Sequence, residues 1–298
     1  MDLHYLAGVA LGVLGGILTQ FGQLLEKRAV NQFRADSQEY GFFRRLIKSP
    51  TWLSGDFFGL GGGTVAYMFA QSLIGPALTP GLMASGLVIL AVGSVRMNHE
   101  NLNSSEIVGI VLMILGILSF GLSGLAINST QVRTTLADQS ALQRITLFTV
   151  SFFLMSIITR SLASRIKNRR GMLIALANGF LSCLSDFWIN PLLALIAIVL
   201  LSHAKPSQII IFIIACIILV TVATTVTWTN QLAFKYAQAS NVVPVAQVPI
   251  QIAPILVYFF IFALTPPSSI SVVYILAGTS LTIVAGFLLG RRKEDPTY

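Results

Sequence analysis

Charged residues are scarce in this chain of 298 residues. Asp, Glu, Lys and Arg make up only 10% of it, whereas hydrophobic residues make up 55%. Since a soluble domain carries about 25% charged residues, this chain has too few to cover a water-exposed surface. No stretch is long and polar enough to form a soluble domain. The composition therefore indicates an integral, multi-pass membrane protein whose main surroundings are the lipid bilayer.

Motifs for nucleotides and metals are lacking as well. The run Gly-Leu-Gly-Gly-Gly at 59–63 has neither the strand context nor the following Lys-Ser/Thr of a phosphate-binding loop. Close helix packing through small residues is the better interpretation. Cys183 and Cys216 both lie in apolar runs, which is typical of buried thiols rather than of a disulfide or metal site. A pump driven by ATP is therefore disfavoured, and no resident cofactor is expected.

Nine apolar runs of about 20 residues are long enough to cross a bilayer. They cover roughly 3–25, 51–72, 77–96, 105–126, 142–163, 171–201, 207–231, 241–263 and 270–290. When the loops are assigned to alternate sides, only Arg133, Arg144 and Lys205 fall on one side. The other sixteen of the nineteen lysines and arginines fall on the opposite side. By the positive-inside rule, the N-terminus is expected outside and the C-terminus in the cytoplasm.

The net charge of +8 is carried at the ends of these runs and not in a continuous stripe. Nucleic acid is therefore not an expected partner. The one long cytoplasmic loop, 29–50, mixes aromatic residues such as Phe42 and Phe43 with Arg44 and Arg45. This mixture predicts a segment that lies at the membrane interface against anionic lipid.

A weak internal repeat links the two halves of the chain. The segments AYMFAQSLIGPALTPG (66–81) and LAFKYAQASNVVPV (232–245) both place Ala-Gln ahead of a proline, Pro80 or Pro244, that is expected to open the next helix. The two prolines fall at opposite ends of the bundle, so the repeats are inverted, as in many secondary transporters. The expected fold is one all-α transmembrane domain over 1–298, with a four-helix repeat over about 3–126, a connecting helix at about 142–163 and an inverted repeat over about 171–290.

The most polar membrane segment carries Asn178, Ser182, Asp186 and Asn190 four residues apart. This spacing makes one polar face of a helix. An aspartate near mid-bilayer costs about 3 kcal/mol, which favours a cavity, a partner or a substrate beside Asp186. Pro191 follows at once and leaves a carbonyl one turn earlier without its N–H partner, so the helix is expected to break or bend there.

Further polar residues are expected in the half of the membrane nearer the cytoplasm. The aspartate of the second helix, Asp56, lies about one turn inside the membrane. The amide-bearing residues on this side are Gln20, Gln23, Asn230, Gln231, Gln247 and Gln251. We interpret them as the lining of a cytoplasm-facing vestibule below Asp186, with Pro249 as a second interruption in its wall.

Three roles follow for these residues: metal binding, substrate binding and hinge motion. Asp186 and Asp56 are candidate metal ligands. The candidate substrate-binding residues are these two acids together with Asn178, Ser182, Asn190, Gln20, Asn230, Gln231, Gln247 and Gln251. Pro80, Pro191, Pro244 and Pro249 are candidate hinges. The alternative is structural: Asp186 is satisfied by Ser182, Asn190 or Gln251 as a contact between helices, and Asp56 is hydrated or paired with Lys27 or Arg28.

Several motifs then point to a known group. They are Leu25–Arg28 (LEKR), Trp52 at the start of the second helix, Tyr67–Ala70 (YMFA) with Ala77–Pro80 (ALTP), and Asn230–Tyr236 (NQLAFKY) with Ser240–Pro244 (SNVVP). Over nearly its whole length the chain resembles the drug/metabolite transporter superfamily, and within it the NIPA-type magnesium transporters. The resemblance implies two inverted bundles around a central cavity, alternating access, and Mg²⁺ as the substrate.

The leading functional hypothesis is therefore a secondary transporter of Mg²⁺ or another divalent cation, with Asp186 also a candidate carrier of a coupling proton. Magnesium is usually held by one or two carboxylates and several waters, which suits so sparse a site. The alternative is the export or uptake of a small organic metabolite or drug-like cation. An intramembrane aspartyl protease would need Asp56 and Asp186 to share a proton, but their depths differ by about 15 Å, so an enzyme is not expected. The sequence does not determine an oligomeric state.

Overall fold

The computed structural model describes residues 3–33, 39–74, 79–83, 85–100, 102–125, 127, 129–201 and 204–290. Within these ranges the protein is helical and contains no strand, which confirms the all-α prediction. The α-helices are α1 Leu3–Gln32, α2 Glu39–Leu46, α3 Pro50–Asp56, α4 Thr64–Ile74, α5 Thr79–Met83, α6 Gly86–Asn98, α7 Ser104–Leu122, α8 Ser129–Ala137, α9 Gln139–Arg165, α10 Arg170–Leu201, α11 Pro206–Tyr236, α12 Ala239–Leu256 and α13 Ser269–Gly290. Two π-helical segments, Phe57–Gly63 and Val257–Ile261, continue α3 and α12, and Lys167–Arg169 is a 3₁₀ turn.

Eight helices in the described part of the chain are long and apolar enough to cross a membrane. They coincide with eight of the nine predicted spans, and α3, its π-helical segment and α4 together form one of them, Pro50–Ile74. At the remaining predicted span, 77–96, the described residues form two shorter helices, α5 and α6. The 13 residues of α6 are apolar but cover only about 20 Å. The protein is thus an integral multi-pass membrane protein with at least eight apolar spans.

Two of the predicted proline positions are corrected. Helix α12 begins at Ala239, so Pro244 is its sixth residue and does not open it. Helix α10 continues through Pro191 to Leu201 and does not end there. The helix persists because the Asn190 side-chain amide donates to the carbonyls of Asp186 (3.0 Å) and Phe187 (3.4 Å), the second of which Pro191 leaves without a donor. Pro80 is the second residue of α5, and Pro249 lies inside α12.

The loop 29–50 is predicted to lie against lipid at the membrane interface, and this is wrong for Phe42 and Leu46. Helix α1 continues to Gln32, and α2 packs into the protein with Phe42 and Leu46 fully buried. The Phe43 ring lies edge-on to Trp228 of α11, with the ring centroids 4.6 Å apart. The apolar face of α2 therefore meets other helices rather than lipid, because α11 offers a matching aromatic surface.

Close helix contacts occur within each half of the chain and between the halves. Helix α1 contacts the span Pro50–Ile74 and α6, α10 contacts α11 and α12, and α7 packs along α13. Glycines allow two of these close approaches: a Cβ on Gly86 would overlap the carbonyl oxygen of Gly16, and one on Gly179 would overlap that of Ala246. The backbones of α1 and α6, and of α10 and α12, are therefore in direct contact.

One end of the bundle, which we call the basic end, carries most of the described lysines and arginines. It comprises the end of α1, helix α2, the start of α10, the end of α11 and the start of α12. Contacts between these parts place them together: the Arg170 guanidinium lies 4.3 Å from the centre of the Tyr236 ring, and the Lys235 ammonium lies 4.8 Å from that of Phe42. The opposite end carries the end of α7 and residues Leu125 and Phe262.

Candidate functional site

A cavity of about 390 Å³ lies between the two halves of the protein. Its walls are formed by α1, the span Pro50–Ile74, α7, α10 and α12. Its polar lining includes Thr19, Gln20, Gln23, Thr64, Tyr67, Gln71, Ser182, Ser185, Asp186, Asn190, Gln247, Gln251 and Tyr258. The cavity is therefore a polar space within a bundle that is otherwise apolar.

Asp186 supplies the negative charge of this cavity. Among the described residues that line it, Asp186 is the one acid, and there is no lysine, arginine or histidine. No described residue forms a hydrogen bond or ion pair with its carboxylate. In a low-dielectric surrounding, a carboxylate without a partner attracts a cation strongly.

The amides of the cavity add oxygen acceptors to this charge. Gln20, Gln23 and Gln71 each have a buried side-chain oxygen with no hydrogen-bond partner among the described residues. The amide nitrogen of Gln71 donates to Asn190 Oδ1 at 3.3 Å, which links the span Pro50–Ile74 to α10. Since an unpartnered buried oxygen carries a desolvation cost, these oxygens are poised to accept from a hydrated ion or another ligand with donors.

Six of the predicted binding residues line this cavity: Gln20, Ser182, Asp186, Asn190, Gln247 and Gln251. The last two belong to one turn of α12, where Gln251 Nε2 donates to Gln247 Oε1 at 3.1 Å. The six residues come from three different helices, α1, α10 and α12. The four-residue spacing on α10 thus carries Ser182, Asp186 and Asn190 to the same space.

Asn178 and Asn230 lie outside the cavity lining and contact each other instead. Asn178 Nδ2 donates to Asn230 Oδ1 at 2.8 Å, and Asn178 Oδ1 accepts from the Thr229 hydroxyl at 2.5 Å. This network joins α10 to α11 near the basic end. Its groups satisfy one another, as in the structural alternative for amides between membrane helices.

Gln231 and Asp56 also lie apart from the cavity lining, beside a buried acid at the basic end. Gln231 Nε2 donates to Glu26 Oε2 at 2.6 Å, and Glu26 is only 7% exposed. Asp56 follows Gly55, whose backbone packs directly against Glu26. Glu26 stands in the LEKR run, directly after the predicted first span 3–25, whereas α1 continues to Gln32. An acid at that edge, beside two basic residues, was the signal that could have singled it out.

The cavity also extends toward the end opposite to the basic end. Leu125, Ile127 and Phe262, which follow the ends of α7 and of the π-helical segment after α12, line it. Gln71, near the same end of its span, lines it too, although the sequence interpretation placed polar groups mainly at the basic end. Four of the amides predicted for the vestibule, Gln20, Gln23, Gln247 and Gln251, do line the cavity. Asn230 and Gln231 instead bond to Asn178 and Glu26 at the basic end.

An all-helical bundle of apolar spans around a polar, acid-bearing cavity is typical of multi-pass membrane transporters. The family model of the magnesium transporter NIPA matches residues 3–295, and the chain belongs to this family. No curated protein and no solved structure matches the chain at a significant level. The family match confirms the resemblance found in the sequence. Since this is a family of transporters and not of enzymes, the protease alternative is dismissed.

Proposed function

We propose that the protein is a secondary transporter that carries Mg²⁺ through the central cavity by alternating access. The family match supports Mg²⁺ as the substrate. The observation that carries the proposal is the chemistry of the cavity: an unpaired Asp186 carboxylate, three unpartnered amide oxygens and no basic group among the described lining residues. This set of groups favours a cation over an anion.

The size of the cavity supports a hydrated ion rather than a bare one. Six waters at about 30 Å³ each occupy about 180 Å³, which fits within the cavity of about 390 Å³. Magnesium sheds water reluctantly and is commonly held by few carboxylates. In this arrangement Asp186 and the amides of Gln20, Gln71 and Asn190 contact the ion through its waters.

The proposed architecture is nine crossings arranged as two inverted four-helix repeats around α9. Its ninth crossing is the stretch containing α5 and α6. The corresponding helix pairs support it, since α1 meets α6 through Gly16 and Gly86 just as α10 meets α12 through Gly179. Such repeats allow the two halves to rock about a site near the midplane.

The proposed topology places the basic end in the cytoplasm and the N-terminus outside. The structure then corresponds to a state whose cavity extends toward the outside. Asp56 lies away from the cavity beside Glu26, so we propose it as a metal ligand only for the state in which the basic end opens. Asp186 is also the proposed carrier of a coupling proton, since protonation would remove the charge that holds the cation.

The central test replaces the carboxylate by an amide of the same shape. We expect Asp186→Asn to abolish Mg²⁺ uptake into proteoliposomes that contain a Mg²⁺-sensitive dye. The fall should be at least about tenfold, because one charged contact is worth about that factor. Uptake by the folded variant at the wild-type rate would refute the central site.

The matched control is Asp138→Asn, which removes one acidic charge outside the cavity. Asp138 caps α9 by accepting from the backbone N–H groups of Ser140 (3.3 Å) and Ala141 (3.1 Å). Asparagine caps helices as well as aspartate does. We therefore expect this variant to fold and to transport at the wild-type rate.

The cavity also has a feature that favours the second candidate, an organic cation. The rings of Tyr67, Phe120 and Tyr258 line it, and aromatic faces attract organic cations. Its volume also lies in the range of about 300–1,000 Å³ that is common for small-molecule sites. Counterflow in proteoliposomes discriminates between the two: exchange driven by Mg²⁺ and unaffected by tetramethylammonium supports Mg²⁺, and the reverse result supports the organic cation.

A further inference from the structure

Lys27 is a buried lysine whose partners lie on the other half of the protein. Its side chain is 3% exposed, and its ammonium donates to the backbone carbonyls of Phe234 (2.5 Å) and Ala237 (2.6 Å). Phe234 belongs to the last turn of α11 and Ala237 follows its end, where carbonyls lack partners within the helix. A cation is also favoured there because it faces the negative end of the helix dipole.

Polar contacts between the halves flank Lys27 at the basic end. Glu26, the preceding residue on α1, accepts from Gln231 of α11 at 2.6 Å. Glu100, after α6, accepts from the backbone N–H groups of Ala239 (2.8 Å) and Ser240 (3.0 Å) at the start of α12. None of these residues lines the cavity. Bonds between the halves therefore bridge the basic end, whereas the cavity extends toward the opposite end.

Lys27 can exchange its two carbonyl partners for water when the halves separate. A lysine has a flexible stem of four carbons and a strongly hydrated charge. If α1 and α11 separate, its ammonium reaches the water at the basic end, where the exposed Arg28 already lies. The same separation exposes the Glu26 carboxylate, an acceptor for a departing cation. The bonds of Lys27 thus favour the closed state, and water can replace them when the basic end opens.

We propose that Lys27 is a gate residue of the transport path. Bonded to the carbonyls at the end of α11, it holds the basic end closed while the cavity extends toward the opposite end, and its release allows the two halves to separate. The proposal rests on the alternating access of the proposed function. It does not depend on the substrate.

Thiol labelling in the absence of Mg²⁺ tests this proposal on the full chain. The two native cysteines are replaced by serine, and one reporter is introduced at a time. Ala237→Cys reports on the basic end, where Ala237 is only 8% exposed, and Leu125→Cys reports on the cavity end. The measured quantity is the rate of reaction with a water-soluble maleimide in detergent, with Lys27 intact or replaced.

In Lys27→Met we expect the two reporters to change in opposite directions. Labelling at 237 should rise by about tenfold or more, since the variant loses two charged hydrogen bonds and one alone implies about that factor. Labelling at 125 should fall as the cavity end closes. Lys48→Met is the matched control, since Lys48 is exposed at the same end, and it should leave both rates unchanged.

A purely structural role for Lys27 predicts a different pattern. Local loosening would raise labelling at 237 without lowering it at 125, and that result overturns the proposal, as does the absence of any change. If Lys27→Met does not fold, Lys27→Arg replaces it. The bulkier guanidinium fits the two carbonyls less closely but keeps the charge, so the same opposite changes are expected at smaller size. If the wild-type protein fails to transport Mg²⁺, the proposal that Mg²⁺ is the substrate is refuted. The labelling rates and the proposal that Lys27 is a gate residue are not affected by that result.

Discussion

Gln71 is the cavity residue whose role depends most on the tertiary structure. In the sequence it belongs to an Ala-Gln pair ahead of a turn, and its span is otherwise apolar. In the structure it is 7% exposed, lines the cavity and donates to Asn190, while its own oxygen has no partner among the described residues. It is the residue that connects the first half of the protein to the polar face of α10 at the level of Asp186.

We expect Gln71→Met to weaken substrate binding without preventing folding. Methionine matches glutamine in length and suits a buried apolar site, but it removes one acceptor and one donor from the cavity. The KM for Mg²⁺ should rise by about tenfold, as expected for one hydrogen bond to a charged ligand shell. Gln139→Met, at an exposed position on α9, is the control, and an equal KM in both variants would contradict the assignment.

In helix α10, the side chain of Asn190 compensates for the backbone donor that Pro191 lacks. Its interior proline predicts a break, because Pro191 removes one backbone donor. The break is absent because Asn190 supplies a side-chain donor to the same turn. The polar face therefore continues along an unbroken helix, and Asp186 is held on a continuous element rather than at a helix end.

The crossing of α1 and α6 gives a prediction at the scale of these two helices. A Cβ on Gly86 would overlap the Gly16 carbonyl, which is backbone and cannot move aside. We expect Gly86→Ala to lower the free energy of unfolding by about 1–3 kcal/mol or more through overpacking. The measurement is thermal unfolding in detergent.

Gly61→Ala is the matched control for this crossing. The nearest atom to a Cβ at Gly61 is Phe57 Cδ2 at 3.8 Å, an ordinary contact. Because alanine favours a helix over glycine by about 1 kcal/mol, this variant should be as stable as the wild type or more so. Equal unfolding temperatures for the two variants would mean that the α1–α6 crossing is looser than described.

The molecule as a whole is asymmetric along its length. At the basic end, buried groups of one half bond to the other half, as Lys27 does to the end of α11 and Glu100 to the start of α12. The cavity with Asp186 extends toward the other end. In an alternating-access transporter this corresponds to one of two states, and the bonds at the basic end are those that must exchange to reach the second.

The orientation in the membrane gives a prediction for the entire chain. With nine crossings, sixteen of the nineteen basic residues would fall on one side, and the positive-inside rule predicts that this side is cytoplasmic. A tag placed after Tyr298 should be cleaved by protease added to inside-out vesicles and protected in right-side-out vesicles. A tag before Met1 should behave in the opposite way, and the same sensitivity for both tags would exclude an odd number of crossings.

Local patterns in the sequence were sufficient to predict the class of protein, eight of its spans and the position of Asp186 beside a cavity. Hydrophobic length and the scarcity of charge are properties of a segment by itself, and they follow from the bilayer thickness. The repeat of four on α10 correctly grouped Ser182, Asp186 and Asn190 on one face because helical geometry is also local. The family, too, was recognised from short motifs, and its family model matches residues 3–295.

The tertiary structure alone decided which polar groups face the cavity and which bond to one another. Asn178 belongs to the same four-residue repeat as Asp186, yet it pairs with Asn230 on α11. Lys27 finds its acceptors 207 and 210 residues away. Such choices depend on how helices from distant parts of the chain are placed side by side, and spacing within one segment carries no information about them. For that reason the end at which the protein is closed is a property of the packed halves.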